Sequence, residues 1–348
     1  MRLKSLLIPI LLLLFVSACG SDDAPTATEP AQAETLVPVV EDTPAPVAGQ
    51  TTQTPPPETG EEPSPTAVTT GAGEESSPTP IAAGATATFS PASLNGFLLQ
   101  DAGFQTPESV VHDAEADVYL VSNINGSPSA EDGNGFISQV SPEGEIIALK
   151  WIDGEADGVT LNAPKGMALT ETELWVTDIT VVRIFDRNSG APLGEVPVEG
   201  ASFLNDAAAG PDGDIWISDS NNETLYRIAP DHSVEQVAEV TNINGIAIVD
   251  GEVLVISSQS IVAVQMDGSS SEVAPVPSSG LDGLVSIGGG ALAVSSWNGS
   301  NVYVIASGDS FEIIGDISGP ADIGFDGLRS LILIPHFRDD ALQAVPLS

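Results

Sequence analysis

Six residues with polar side chains recur at nearly equal intervals along the C-terminal part of this 348-residue chain. They are Glu108, Lys165, Asn205, Asn244, Asp282 and Asp322, separated by 57, 40, 39, 38 and 40 residues. Five of them carry carboxylate or amide oxygens, the ligands that hard cations such as Ca²⁺ and Mg²⁺ prefer. The alternative for Asn and Asp beside Gly is turn formation, since such side chains bond local backbone. For the whole set, the shared register favours an oxygen-lined site.

The segments that must position these residues are short apolar strands. Runs such as Ile215-Trp-Ile-Ser-Asp219 and Leu331-Ile-Leu-Ile-Pro335 alternate with Asp-Gly, Asn-Gly and Gly-Gly turns, and no stretch has sustained helical periodicity. The fold class is therefore all-β. A period near forty residues with about four strands per unit is typical of propeller blades, and six units predict a six-bladed β-propeller.

Three further expectations follow from this architecture. The long first interval is explained by an insertion rich in Gly, Ser, Asp and Asn at 125–135. Closure of the ring should pair a strand at 97–100 with the C-terminal strand at 341–345, because an unpaired first or last edge would be exposed. Since the innermost strands line the central channel, the six recurring residues should meet at one channel mouth.

The N-terminus has the pattern of a secretion signal. Arg2 and Lys4 precede an apolar run at 6–16, too short for a permanent transmembrane helix. Val16-Ser-Ala-Cys19 follows and resembles a bacterial lipobox, with residues 1–18 as the lipoprotein signal peptide. This resemblance implies lipidation of Cys19 and an extracytoplasmic protein anchored to the bacterial membrane. The alternative is an ordinary signal peptide with an incidental cysteine.

Residues 19–90 differ in composition from the rest of the chain. They are rich in Pro, Thr, Ala, Glu and Ser, with twelve prolines between Pro25 and Pro80. Such a segment has too little apolar area to offset the entropy of ordering. We therefore expect a disordered tether before a propeller at 91–348.

Charge and cysteine content exclude several classes of function. The formal net charge is −40, from 49 acidic and 9 basic residues. Nucleic acid requires Lys and Arg to displace its counterions, so it is excluded as a partner. The single cysteine cannot form an intramolecular disulfide or a thiolate metal site. We expect a monomer that binds a small-molecule substrate or ligand at the channel mouth.

The blade motif carries a family resemblance. The repeat Leu204-Asn-Asp-Ala-Ala-Ala-Gly-Pro-Asp-Gly-Asp-Ile-Trp-Ile-Ser-Asp219, with Asn244-Gly and Asp282-Gly in later blades and Glu108 in the first, resembles the SMP-30/gluconolactonase-like propellers. The resemblance implies a divalent metal, Ca²⁺ with Mg²⁺ or Zn²⁺ as alternatives. Its ligands would be Glu108, Asn244 and Asp282, with Asn205 contacting substrate and Asp282 as the candidate base.

The sequence departs from the family pattern at a position that binds substrate in the sugar-lactone members. Sugar-lactone members carry an arginine two residues before the Asn-Asp pair, where this chain has Phe203, which disfavours a sugar lactone. Lys165 could bind an anionic substrate or neutralise the surrounding carboxylates. His336, at the end of an apolar strand, is a structural residue or a second candidate base.

Two classes of function remain open. The first is a metal-dependent, lactonase-like hydrolase that acts on a lactone or ester. In it, Asp282 or His336 would activate water, and Asn205 or Lys165 would stabilise the developing oxyanion. The second is a noncatalytic propeller that binds a ligand, glycan or protein partner at the same mouth.

Overall fold

The computed structural model describes residues 96–347, and every regular element in this range is a β-strand. In chain order the strands are β1 (Phe97–Leu99), β2 (Pro107–Asp113), β3 (Val118–Asn123), β4 (Phe136–Val140), β5 (Ile146–Asp153), β6 (Pro164–Leu169), β7 (Glu173–Asp178), β8 (Val181–Asp186), β9 (Pro192–Pro197), β10 (Leu204–Ala209), β11 (Ile215–Asp219), β12 (Thr224–Ile228), β13 (Val234–Glu239), β14 (Ile243–Val249), β15 (Glu252–Ser257), β16 (Ser260–Val264), β17 (Ser270–Pro275), β18 (Leu281–Gly288), β19 (Ala291–Ser296), β20 (Asn301–Ala306), β21 (Asp309–Ile314), β22 (Gly324–Asp326), β23 (Leu331–His336) and β24 (Ala341–Pro346).

The strands form six four-stranded antiparallel sheets, which confirms the six-bladed β-propeller. Blades 1 to 5 are β2–β5, β6–β9, β10–β13, β14–β17 and β18–β21, each in sequence order from the inner to the outer strand. Blade 6 contains β22, β23, β24 and β1. The connections within a blade are short turns, so the inner strand of each blade starts on the same face as the turn between its second and third strands.

The ring closes as the sequence predicts. Strand β1 pairs antiparallel with β24, with Phe97 opposite Ala344 and Leu99 opposite Leu342. The first strand of the ordered ring therefore becomes the outer strand of the last blade. This pairing covers the edge of β24 that would otherwise present unpaired backbone groups to solvent.

The apolar core lies between neighbouring blades. Trp175 of blade 2 is 3% exposed and belongs to a cluster with Leu204 and Ile217 of blade 3. Trp216 of blade 3 packs in the same way against Val255 of blade 4. The second strand of each blade is covered on both faces by adjacent blades, so strands such as β11 and β23 are buried and mainly apolar.

The predicted insertion is the loop between β3 and β4 of blade 1. Its polar residues bond within the loop and to the next blade. Asn125 donates through Nδ2 to the carbonyl of Asn134 at 2.9 Å, and the Gly133 amide donates to Asn162 Oδ1 at 3.0 Å. The insertion therefore changes the spacing of the first two blades without changing the ring.

The predicted signal peptide at 1–18, the predicted lipidation site Cys19 and the predicted tether at 19–90 lie outside the described residues. Within 96–347, the structure contains no helix with the length and hydropathy needed to cross a bilayer.

Candidate functional site

A two-residue irregularity at the start of the inner strands positions the mouth side chains. In blade 3, Leu204 pairs with Asp219 and Ala207 with Ile217, so the intervening Asn205 and Asp206 fall out of register. The inner strands of blades 1, 2, 4 and 5 have the same shift at the equivalent place. Such bulges bend a strand and redirect its side chains. The five recurring residues of these blades all lie within them.

Hydroxyl groups on the second strands support these irregular segments. They belong to Ser122, Thr177, Ser218 and Ser295. Ser218 Oγ accepts the Asp206 amide at 2.9 Å, and Ser295 Oγ accepts the Gly283 amide at 2.8 Å. The sequence interpretation missed this role, although a Ser or Thr recurs at one position of the repeat in four blades.

Close backbone contact between inner strands requires glycine after two of the site residues. A Cβ on Gly245 would lie 2.6 Å from the Asp282 carbonyl oxygen, and one on Gly283 would lie 2.3 Å from the Ile323 nitrogen. Real Cβ atoms do not approach backbone so closely. The Asn244-Gly and Asp282-Gly pairs therefore provide both a polar side chain and the narrow spacing of the channel wall.

Three of the candidate residues form a hydrogen-bonded chain across blades 3, 4 and 5. Asn205 Nδ2 donates to Asn244 Oδ1 at 2.6 Å, and Asn244 Nδ2 donates to Asp282 Oδ1 at 2.8 Å. Asn205 Nδ2 also donates to Ser220 Oγ at 3.1 Å. Both amide hydrogens of Asn205 are thus used within the protein, and its Oδ1 remains as an acceptor. The structure brings these predicted residues into direct contact.

Glu108 of blade 1 is a buried acid, and one of its carboxylate oxygens has no hydrogen-bond partner among the described residues. The residue is 7% exposed, and the oxygen without a partner is Oε2. Burial raises the pKa of Glu108 well above its usual range, and the carboxylates of Asp282 and Asp322 raise it further. Lys165 opposes this shift but does not cancel it. An orphaned buried carboxylate oxygen is costly unless a cation or proton occupies its surroundings.

Lys165 is enclosed in the wall of blade 2. It is 1% exposed, donates to the Ala163 carbonyl at 3.1 Å, and lies 4.4 Å from the centroid of the Phe203 ring. Burial lowers its pKa, while the charges of Glu108 and Asp178 act in the opposite direction. Since Phe203 covers the ammonium group, this position favours neutralisation of Glu108 over direct contact with a substrate.

Two further acids, Asp206 and Asp322, line a cavity of about 200 Å³ inside the channel. Asp206 accepts hydrogen bonds from the amides of Ala207 and Ile246, and Asp322 accepts one from Ser109 Oγ at 2.5 Å. Burial raises the pKa of Asp206 to about 7 and that of Asp322 well above its usual range.

The sequence interpretation did not include Asp206 among the site residues. The signal for it was present, because the residue after each recurring position is Ser, Gly, Asp, Gly, Gly or Ile. Asp206 is the only charged residue in that series.

Asp282 has a raised pKa of about 7, and the cause is burial, which the hydrogen bond from Asn244 opposes. Its side chain nonetheless remains partly exposed at the mouth. A carboxylate that changes protonation near neutral pH is suited to accept a proton from water.

His336, the second candidate base, lies at the end of β23 and is 8% exposed. Its Nε2 is 3.0 Å from Oε1 of Gln343 on the adjacent strand, and burial lowers its pKa. In the described part of the chain, no hydrogen bond links it to the recurring residues. The geometry connects His336 to the wall of blade 6.

The predicted metal ligands are two acids and one amide, Glu108, Asp282 and Asn244. Within residues 96–347, no group of three or more His, Cys, Asp or Glu side chains is arranged to hold a metal ion. A cation here would therefore depend on the amide oxygen of Asn244 as well as on carboxylates. The candidate ligand atoms are all carboxylate or amide oxygens, which Ca²⁺ prefers. The Oε2 atom of Glu108, which has no hydrogen-bond partner among the described residues, fits such a ligand set.

Comparisons with known proteins give a consistent result for the fold. No family model matches the sequence, and no curated protein matches it. Among solved structures, a gluconolactonase from Xanthomonas campestris is similar, with 20% identity, a TM-score of 0.57, and coverage of 72% of this chain and 89% of that chain. The chain has the fold of lactonase and lyase propellers.

Two further structures share this fold. A streptogramin B lyase matches with 13% identity and a TM-score of 0.53, covering 73% of this chain and 99% of that chain. A luciferin-regenerating enzyme matches with 15% identity and a TM-score of 0.53, covering 73% and 96%. These proteins have different activities on one architecture, so the likeness supports the fold, and function must be argued from the site.

Proposed function

We propose that the channel mouth binds a divalent cation, Ca²⁺, through Glu108, Asn244 and Asp282, and that the protein hydrolyses a lactone or ester there. The observation that carries this proposal is the buried, unpartnered Oε2 of Glu108, close enough to Asp282 and Asp322 for their charges to raise its pKa. Acids concentrated in this way are stabilised most simply by a multivalent cation. When bound, the ion would polarise a carbonyl oxygen and favour attack by water.

The chain's own residues supply the remaining steps. Asp282 accepts the Asn244 amide on Oδ1, which leaves Oδ2 to take a proton from the attacking water. The water oxygen bonds to the carbonyl carbon, the carbon–oxygen bond of the ring or ester breaks, and the proton passes from Asp282 to the leaving oxygen. Asp282 is placed for both transfers because the hydrogen bond from Asn244 occupies only its Oδ1.

Asn205 has a binding role in this proposal. Its two amide hydrogens are donated to Asn244 and Ser220, so its Oδ1 is the atom that can accept a hydrogen bond from a substrate hydroxyl. Lys165 limits the negative charge around Glu108 from beneath Phe203. An extracytoplasmic location also belongs to the proposal: acylation of Cys19 would anchor the protein to the bacterial membrane from outside the cytoplasm.

Calorimetric titration of chelator-treated protein with Ca²⁺, Mg²⁺ and Zn²⁺, followed by a panel of lactones and aryl esters, tests the proposal. We expect binding to be lost in Glu108→Gln and in Asp282→Asn, and hydrolysis to be lost with it. The matched control is Asp309→Asn, an exposed acid on the outer strand of the same blade as Asp282. Cation binding without turnover would instead support the noncatalytic alternative. Absence of cation binding would contradict the site itself.

A further inference from the structure

The distribution of ion pairs identifies an unusual cation near the mouth. Residues 96–347 contain 38 acidic and seven basic residues. Five of the basic residues have a carboxylate within 4.0 Å, namely Lys150, Arg183, Arg187, Arg227 and Arg329. Among the described residues, Lys165 and Arg338 have none. Although Asp339 and Asp340 follow Arg338 in the chain, its guanidinium is paired with neither, so it remains available to an anionic ligand.

The two unpaired cations differ in accessibility. Lys165 is buried beneath Phe203 and acts on Glu108. Arg338, by contrast, is exposed in the turn between β23 and β24. Only Arg338 can therefore meet a ligand from solvent without a change in the wall of the channel.

Aromatic contacts hold the Arg338 side chain in place. Its guanidinium carbon lies 4.6 Å from the centroid of the Trp297 ring, and Trp297 packs edge to face on Phe337 at 5.0 Å. Gly319 lies against both partners, since a Cβ there would be 3.2 Å from Arg338 Cγ and 3.3 Å from the Trp297 ring. Stacking restrains the planar guanidinium while leaving its edge donors available.

Backbone hydrogen bonds connect Arg338 and Trp297 to the segments that precede the mouth acids Asp282 and Asp322. The Trp297 amide donates to the carbonyl of Gly280, two residues before Asp282, at 2.8 Å. The Arg338 amide donates to the carbonyl of Ser318, four residues before Asp322, at 3.3 Å. The stacked pair thus lies on the mouth face, across the junction between blades 5 and 6.

We infer that Arg338 binds a carboxylate group of the substrate, so that the mouth accepts a lactone or ester that carries a carboxylate substituent. This inference rests on the proposed hydrolase function and names its substrate class. The strongly negative domain repels anions in general, so a substrate of this kind needs a local donor, and guanidinium binds carboxylate through two parallel hydrogen bonds. The partly exposed rings of Trp297 and Phe337 provide an apolar contact for the body of such a substrate.

Two lactones of nearly equal shape test the inference. These are γ-valerolactone and γ-carboxy-γ-butyrolactone, in which a carboxylate replaces the methyl group, and ring opening is followed by pH-stat with Ca²⁺ present. For Arg338→Gln we expect the kcat/KM ratio of the carboxylated to the methyl lactone to fall by about ten-fold or more, through KM. Arg338→Lys should retain part of the ratio, and Trp297→Leu should lower it by removing the stack.

The matched control is Lys150→Gln. Lys150 also stacks on an aromatic ring, 5.3 Å from the centroid of Phe136, but it is paired with Glu155 on blade 1. Its replacement removes the same charge and should leave the ratio at the wild-type value. An unchanged ratio in folded Arg338→Gln, or an equal fall in Lys150→Gln, would overturn the inference.

If neither lactone is hydrolysed, the inference is decided by binding, and the proposed function is decided separately by cation titration and the wider panel of lactones and aryl esters. Calorimetric titration of the protein with γ-carboxy-γ-butyrolactone in the presence of Ca²⁺ should then show affinity at least about ten-fold lower in Arg338→Gln. No binding to the wild-type protein would refute the anion site.

Discussion

Replacing Asp282 by Asn should stabilise the metal-free protein at alkaline pH, although it alters a candidate catalytic residue. The variant keeps an acceptor oxygen for Asn244 Nδ2, so the hydrogen bond at 2.8 Å survives. What it removes is a carboxylate that burial makes costly to ionise. The sign of the effect follows from the direction of the pKa shift.

The folded-state pKa of Asp282 is about 7, above the unfolded-chain value of 3.8. Its favourable contribution is therefore fully present below about pH 4 and is lost as pH rises through about 7. The shift of roughly three units corresponds to about 4 kcal/mol, at about 1.4 kcal/mol per unit. Because the side chain is partly exposed at the mouth, screening by solvent reduces this to about 2 kcal/mol. The midpoint of unfolding should rise by about 6 °C in a domain of this size.

Differential scanning calorimetry in EDTA measures this difference in stability at a pH of about 8 and again at about pH 3, where the Asp282 carboxyl is largely protonated in both the folded and the unfolded state, so that the two proteins should unfold alike. With Ca²⁺ added at alkaline pH, the wild-type protein should become the more stable of the two, since Ca²⁺ stabilises it by mass action and stabilises the variant much less. Asp309→Asn serves as the exposed control and should change neither value. If Asp282→Asn were less stable than wild type in EDTA at both pH values, the reasoning would be wrong.

Three other changes have defined outcomes. Cys19→Ala should release the protein from the membrane fraction while leaving propeller unfolding unchanged, and retention after a carbonate wash would exclude acylation as the anchor. Gly283→Ala should destabilise by about 2–4 kcal/mol in urea unfolding, because its Cβ would lie 2.3 Å from the Ile323 nitrogen. Gly194→Ala, with open space around the new methyl, should be tolerated, and equal losses in both variants would contradict this account. Deletion of β1 should expose the edge of β24 and cause self-association, detected by light scattering, and a monodisperse product would show that closure is dispensable.

The fold was accessible from sequence because its information is local and repeated. Each blade spans about forty residues, with strand and turn signals at equivalent places. A pattern that is weak in one blade therefore becomes convincing because it recurs six times. The pairing of β1 with β24 was also predictable, since a ring with unmatched edges would be unstable in water.

The relations between site residues were less accessible. Spacing alone could place Asn205, Asn244 and Asp282 at one mouth, but it could not order them into a chain of hydrogen bonds. Nor could it indicate that Phe203 encloses Lys165. Asp206 was missed because a residue next to Asn205 in a regular strand would point away from the channel, whereas in the bulge it turns inward.

The sequence by itself determined the β-class, the six-fold repeat and the register of the mouth residues, because backbone propensity and hydrophobic alternation act over a few neighbouring residues. Tertiary structure alone decided the electrostatics. Glu108 and Asp282 are far apart in the chain, and only closure of the ring removes them from water and brings their charges into range of one another. The pairing of Arg338 with Trp297 likewise arises from two different blades. Desolvation and charge interaction depend on distance in space, which no spacing along the chain specifies.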